Sequence, residues 1–258
     1  MVSLSYQRGS TKVLLHMRVI ATLTPGEVFT ALGFLTGAAI FAWQMKARHV
    51  FTHGMGFIAA AAIIGGVLGA KIIEWILVSG GSSQQFLNPS SGGRTIIGGI
   101  ICGWLAVEFV KWRLGIRRST GDLFALALPA GEAVGRIGCL LNGCCYGTIS
   151  NVPWAIYQHD AWRHPSQIYS SLAALVIFTF LFFMCHRLTR EGDLFRLYLL
   201  LYGITRFTIE FYRERNIAFN GLSTAQWICI EMVVVSSIML IWPLYKKYHQ
   251  KRSNLYAT

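Results

Sequence analysis

The chain has 258 residues, 54% of them apolar and only 13% charged, with a mean hydropathy of +0.49. A soluble domain carries roughly a quarter charged residues, so this composition excludes disorder and collagen-like repeats, argues against a soluble globule, and points to an integral membrane protein. Lys and Arg number 23 against 11 Asp and Glu, a net charge of +12; with no aromatic-studded basic stripe, nucleic acid is not expected as a partner, and the excess reads as cytoplasmic loops.

In chain order, residues 1–24 hold an apolar stretch from Val13 to Leu23 that His16 and Arg18 interrupt, and no small-residue cleavage site follows. This is read as an N-terminal interfacial amphipathic segment rather than a signal peptide. A membrane-crossing helix needs about 20 mostly apolar residues. Val28 to Met45 and His49 to Ala70 qualify without any Asp, Glu, Lys or Arg. Thr95 to Trp112 is long enough but carries Glu108 and Lys111, and Leu123 to Leu141 carries Glu132 and Arg136. A longer outer loop, Asn142 to Pro165, comes next. Ser166 to Cys185 is free of charge, Leu194 to Tyr212 carries Arg196, Arg206 and Glu210, and Asn216 to Tyr245 carries Glu231 alone. The expected fold is therefore an all-α integral membrane protein, a polytopic bundle of about seven transmembrane helices over residues 25–245, followed by a basic cytoplasmic tail at 246–258.

Cytoplasmic connections are enriched in Lys and Arg. Lys46 and Arg48, Lys111 to Arg118, Arg187 and Arg190, and Lys246 to Arg252 fall in alternate connections, which places the N-terminus outside and the C-terminus in the cytoplasm. The glycine pairs Gly65/Gly69, Gly99/Gly103, Gly131/Gly135 and Gly143/Gly147 have the four-residue spacing that lets membrane helices approach closely.

An ionisable residue inside a span is costly unless it is paired or faces water, so it marks a candidate site. Arg136, Arg206 and Glu210 are the candidates. Arg206 and Glu210 share a helix face, as do Glu132 and Arg136, so either pair can be a structural ion pair. Two arginines on different helices would still leave guanidinium donors for an anion, and in a membrane the obvious anion is a lipid phosphate.

The six cysteines include one cluster, Cys139, Cys144 and Cys145. It reads as a disulfide or structural thiols, or as a reactive thiol that neighbouring Arg136 would acidify. No metal is expected, because the Cys-x2-Cys spacing of common metal sites is absent. His164 precedes Pro165 and is expected at a helix start near the outer interface, as a structural hydrogen-bonding residue or a general base.

Gly135-Arg136-Ile137-Gly138-Cys139-Leu140-Leu141-Asn142-Gly143-Cys144-Cys145-Tyr146-Gly147 resembles the signature of the prolipoprotein diacylglyceryl transferase family, G-R-x-G-N-F-x-N-x-E followed by an aromatic and Gly. Further similarities follow in order: Arg163-His164-Pro165-Ser166-Gln167-Ile168-Tyr169, then Tyr202-Gly203-Ile204-Thr205-Arg206-Phe207 with Glu210-Phe211-Tyr212-Arg213, then Leu222-Ser223 with Gln226. The resemblance implies a seven-helix enzyme of the bacterial inner membrane. Such an enzyme moves the diacylglyceryl group of phosphatidylglycerol, or a similar phospholipid, onto a cysteine thiol of a lipoprotein precursor. No cofactor is implied. By the same resemblance Arg136 and Arg206 would clamp the phosphate, Tyr202 and Asn142 would orient it, Gly147 would permit close packing, and Glu210 would hold Arg206.

The departures are specific. The family's His before Gly-Gly is Ile97, its signature Asn is Cys139, its Glu is Cys144, and Leu23-Thr24-Pro25-Gly26 has no His-x-Tyr-Gly. They leave open a divergent paralogue with another acceptor and a non-catalytic phospholipid-binding or transport protein on the same scaffold.

Overall fold

The structure is a computed structural model that describes residues 24–48, 54–77, 96–117, 119–188, 190–214 and 217–255; the expected N-terminal interfacial segment lies outside them. Helices α1 (Pro25–Ala47), α2 (Met55–Leu77), α3 (Ile96–Arg113) and α4 (Gly121–Leu141) come first. A hairpin of β1 (Ile156–Gln158) and β2 (Ala161–Arg163) leads into α5 (Ser166–Met184) and α6 (Asp193–Glu210). A second hairpin, β3 (Ile217–Phe219) and β4 (Leu222–Ser223), opens α7 (Thr224–Leu255).

This is a multi-pass helical membrane protein. Stretches of α1, α2, α4, α5 and α7 are long and apolar enough to cross a membrane by composition. Helices α3 and α6 have the length, 18 residues each, but carry more charge. On α5 the buried positions are Ser166, Gln167, Ser170, Ala174, Ile177 and Leu181, while Leu172, Leu175, Val176 and Phe183 are exposed. Small and polar residues inside with large apolar ones outside is the arrangement expected when the surroundings are lipid.

Residues 49–53 of the expected second span lie outside the described residues; α2 runs from Met55, after Gly54 at φ +113°, to Leu77, past the expected end at Ala70. The last helix begins at Thr224 rather than Asn216. Residues 217–223 instead form the second hairpin, turned by Asn220 and Gly221, both at positive φ (+49° and +74°), the conformation that favours an Asn-Gly turn. Helix α7 then continues unbroken through Leu255.

The chain divides into two units, one of residues 41–120 and the other of residues 1–40 with 121–258. Within the first, α2 and α3 cross on small residues: a Cβ on Gly103 would meet the Ala62 carbonyl at 3.3 Å, and one on Gly99 would meet Gly66 O at 3.2 Å and Ala70 Cβ at 3.5 Å. Increasing numbers on α2 thus face decreasing numbers on α3, so the pair is antiparallel. The second unit packs α4, α5 and α6 around Leu126, Ile177, Leu181, Leu194 and Tyr198. Its α1 lies on α4 through Gly33, Gly131 and Gly135, with a Cβ on either Gly33 or Gly131 only 2.8 Å from the other's carbonyl oxygen. The fourth expected glycine pair is not a helix contact, because α4 ends at Leu141 and Gly143 sits in the following loop at φ +64°.

Helix starts are capped by side chains that satisfy otherwise orphaned N–H groups. Thr24 and Glu27 exchange backbone-to-side-chain bonds at 2.8 and 3.3 Å before Pro25 opens α1, and Ser223 and Gln226 do the same at the start of α7. Both are capping boxes. The Asp122 carboxylate, on α4, accepts from the Gly192 and Phe195 N–H groups at 2.8 and 3.1 Å and so caps α6.

Candidate active site

Helices α4 and α6 bring the intramembrane charges together. Arg136 donates through Nε and Nη2 to one oxygen of Glu132, at 3.0 and 2.9 Å. Arg206, buried, places Nη2 at 2.8 Å from Glu210 Oε2, and Glu210 Oε1 accepts the Ser223 hydroxyl at 3.2 Å. Both pairs foreseen at four-residue spacing are thus present. Arg206 Nη1 remains buried with no hydrogen-bond partner, and so does Arg213 Nη1, which lies 3.9 Å from Glu210 Oε2.

Tyr202 links the pairs, since it is half-buried and within electrostatic reach of Glu132, Arg136 and Arg206. A narrow opening between α4, α5 and α6, with room for about one water, is lined by Pro129, Glu132, Ser170, Tyr202, Thr205 and Arg206, among others. Arg213 joins the group through its electrostatic coupling to Arg206, Glu210 and Arg136. It was not among the expected site residues; its three-residue spacing from Glu210 was the available signal.

The loop after α4 folds back on itself. Gly143 and Cys145 are both in the left-handed region, at φ +64° and +58°, a conformation that is uncommon for a residue with a side chain. This brings the Cys139, Cys144 and Cys145 sulfurs within 4.8 Å of one another. All three are free thiols. Hydrogen bonds from Cys139 and Cys144, helped by the charges of Arg213 and Arg136, hold the Cys145 thiol well below the usual thiol range against the opposing effect of burial. The loop backbone is fixed from α5: Gln167 Nε2 donates to Cys144 O at 2.8 Å and Ser166 Oγ to Cys145 O at 2.7 Å.

The other expected residues have structural surroundings. Asn142 Oδ1 accepts from Thr24 Oγ1 at 3.2 Å and lies against Gly26 at the start of α1. Gly147 is buried where a Cβ would meet the carbonyls of His164 and Tyr212. His164 Nδ1 is 3.1 Å from Tyr169 Oη, which accepts the Trp154 indole N–H at 2.6 Å. Arg163, from the same motif, ties the loop between α4 and α5 together, donating to Glu214 Oε2 at 2.6 Å, Gly147 O at 3.2 Å and Gln158 O at 3.1 Å.

Spare buried guanidinium donors inside a multi-pass helical membrane protein mark a candidate anion site. The chain belongs to the prolipoprotein diacylglyceryl transferase family, whose model matches residues 26–242. It is therefore a transferase by family. Three similar proteins are each named phosphatidylglycerol–prolipoprotein diacylglyceryl transferase. That of Nitratidesulfovibrio vulgaris is 30% identical over 233 residues, covering 81% of this chain and 85% of the relative. That of Clostridium tetani is 30% identical, covering 80% and 87%, and that of Finegoldia magna is 28% identical, covering 85% and 90%.

Proposed function

We propose that this protein transfers the diacylglyceryl group of phosphatidylglycerol to the cysteine thiol of a lipoprotein precursor, at the outer side of a bacterial inner membrane. The thiol sulfur forms a bond to the terminal glyceryl carbon as the bond from that carbon to the phosphate oxygen breaks, and glycerol phosphate departs with the electron pair. Negative charge gathers on that phosphate, so donors already fixed around it lower the barrier. The observation that carries this reading is the pair of buried, unpartnered nitrogens, Arg206 Nη1 and Arg213 Nη1, beside Tyr202 and an opening within the helices.

In this reading Arg136 and Arg206 flank the phosphate, Tyr202 donates its hydroxyl between them, and Arg213 adds a third guanidinium. Glu132 and Glu210 orient the arginines, since each carboxylate holds one of them. His164 is a positioning residue through its bond to Tyr169. Asn142 and Gly147 act on the loop rather than on the lipid, as their contacts with Thr24, His164 and Tyr212 suggest. The basic residues after α1, α3, α5 and α7 support an N-terminus outside and a C-terminus in the cytoplasm.

The test is reconstitution in vesicles containing phosphatidylglycerol with a lipobox peptide. Thioether formation with release of glycerol phosphate is expected, and a well-folded protein that binds the lipid yet transfers nothing would overturn the reading.

A further inference from the structure

The family's usual His is Ile97 here, and two further polar signature positions are Cys139 and Cys144. Something else must activate the acceptor thiol, because a free thiol with a pKa near 8.5 is only a few per cent thiolate at neutral pH. The structure places three thiols where two of those changes fall.

We propose that Cys139, Cys144 and Cys145 form a three-thiolate zinc site whose open fourth position binds and activates the acceptor cysteine. This inference rests on the proposed transfer reaction. The sulfurs lie within 4.8 Å of one another, while a tetrahedral zinc with bonds of about 2.3 Å needs sulfurs roughly 3.8 Å apart. The difference is about 1 Å, of the size that a change in cysteine side-chain rotamer covers, and the backbone carbonyls and amide around the thiols are tied down. Cys144 N–H donates to Cys139 O at 3.1 Å, Gln167 and Ser166 hold the carbonyls of Cys144 and Cys145, and Cys145 is kept in its left-handed conformation. Such outer contacts orient metal ligands.

Charge and access also fit. Three thiolates on a divalent ion leave one negative charge, and Arg136 and Arg213 both act electrostatically on Cys145. Cys144 is exposed, so the fourth position faces outward. Sulfur ligands select zinc over the harder divalent ions, and three protein ligands with a fourth position left for substrate is the pattern of catalytic rather than structural zinc. On entering that position the acceptor thiol gives its proton to water. Its sulfur then attacks the glyceryl carbon, the carbon–oxygen bond breaks, glycerol phosphate leaves toward Arg206 and Arg213, and the thioether, a neutral and poorer ligand, is released. Arg136, one of the arginines placed beside the phosphate, sits three residues before Cys139 on α4, so it and the nucleophile's site share one helix end.

The test uses the full-length protein in micelles, stripped with chelator under reducing conditions and titrated with zinc(II) alone or with cobalt(II) as a reporter. Expected results are stoichiometric zinc, tetrahedral thiolate–cobalt bands lost in Cys145→Ser and kept in Cys102→Ser, and a shift of those bands by a lipobox peptide but not by its Ser counterpart. Ser166→Ala should weaken zinc by roughly tenfold or more through the loosened Cys145 carbonyl. X-ray absorption of the wild-type zinc protein should show three sulfur ligands; fewer, or no stoichiometric zinc, overturns the site whether or not the variants fold. If the stripped protein transfers at the full rate, thiol activation by zinc is overturned and the transferase reading stands. If the cobalt bands respond to peptide but no transfer occurs with zinc, the site stands and the transferase reading fails.

Discussion

Ser223 donates its hydroxyl to Glu210 Oε1 at 3.2 Å while the same hydroxyl accepts the Gln226 backbone N–H, also at 3.2 Å. One side chain thus starts α7 and fixes the carboxylate that pairs with Arg206. Ser223→Ala should lose the cap, about 1 kcal/mol, together with a hydrogen bond to a charged group, about 1.5–3 kcal/mol. Thermal unfolding in micelles should show a clear drop in midpoint, and Ser223→Thr should recover most of it. An unchanged midpoint in the Ala variant would remove the coupling.

Arg136→Lys, Arg206→Lys and Arg213→Lys retain charge but lose the planar fork. Each should reduce transfer to a lipobox peptide by at least roughly tenfold, the equivalent of one charge-assisted hydrogen bond in the transition state. Near-normal rates in all three would make the arginines purely structural.

Asp122 is far in sequence from the N–H groups it caps, at Gly192 and Phe195. Asp122→Ala strands two buried donors, so a stability loss of about 2 kcal/mol or more is expected. Activity of the surviving folded fraction should be close to normal, because Asp122 and Arg136 stand near opposite ends of α4, about 20 Å apart at 1.5 Å per residue. Unfolding curves and specific activity per folded protein separate the two effects.

The seven helices were legible because lipid-facing surfaces demand long apolar runs, and the intramembrane Glu132/Arg136 and Arg206/Glu210 pairs because four residues make one helix turn. The helix starts were less so. Thr24 to Glu27 and Ser223 to Gln226 carry the capping-box pattern, yet the second reads first as a family motif, and the Asn220-Gly221 turn was hidden inside an apolar window. Arg213 stands in the family-like segment but carries no expected role, because it follows α6 and reads as a loop charge, whereas it lies beside Glu210. The convergence of the three cysteines depends on left-handed backbone at Gly143 and Cys145, which spacing alone does not express.

Gly147→Ala should be poorly tolerated. Its Cβ would push on the carbonyls of His164 and Tyr212, between which the loop makes the Thr148 to Tyr212 and His164 to Thr148 hydrogen bonds, both 3.0 Å. Circular dichroism should show retained helix, while transfer activity falls as the loop between α4 and α5 shifts. Full activity would mean that the loop moves aside freely.

Orientation is open to direct labelling. A cysteine at Asn151 should react with an impermeant reagent on intact spheroplasts and one at Ser119 only after permeabilisation, each read against the parent's own exposed Cys144. The reverse pattern would invert the topology.

The crossing of α1 and α4 has no side chains between its backbones at Gly33 and Gly131. A seam made of side chains yields gradually, each rotamer taking up a little displacement, but here there is nothing to rotate. Towards the C-terminal end of α4 the same seam continues through Gly138, where a Cβ would lie 2.6 Å from Gly26 O, and then through the Thr24 to Asn142 bond. The first helix therefore works as a splint along the helix that bears Arg136 and Cys139. It is either seated along its length or detached, so amide exchange along α4 from Gly131 to Asn142 should slow and quicken as a single block.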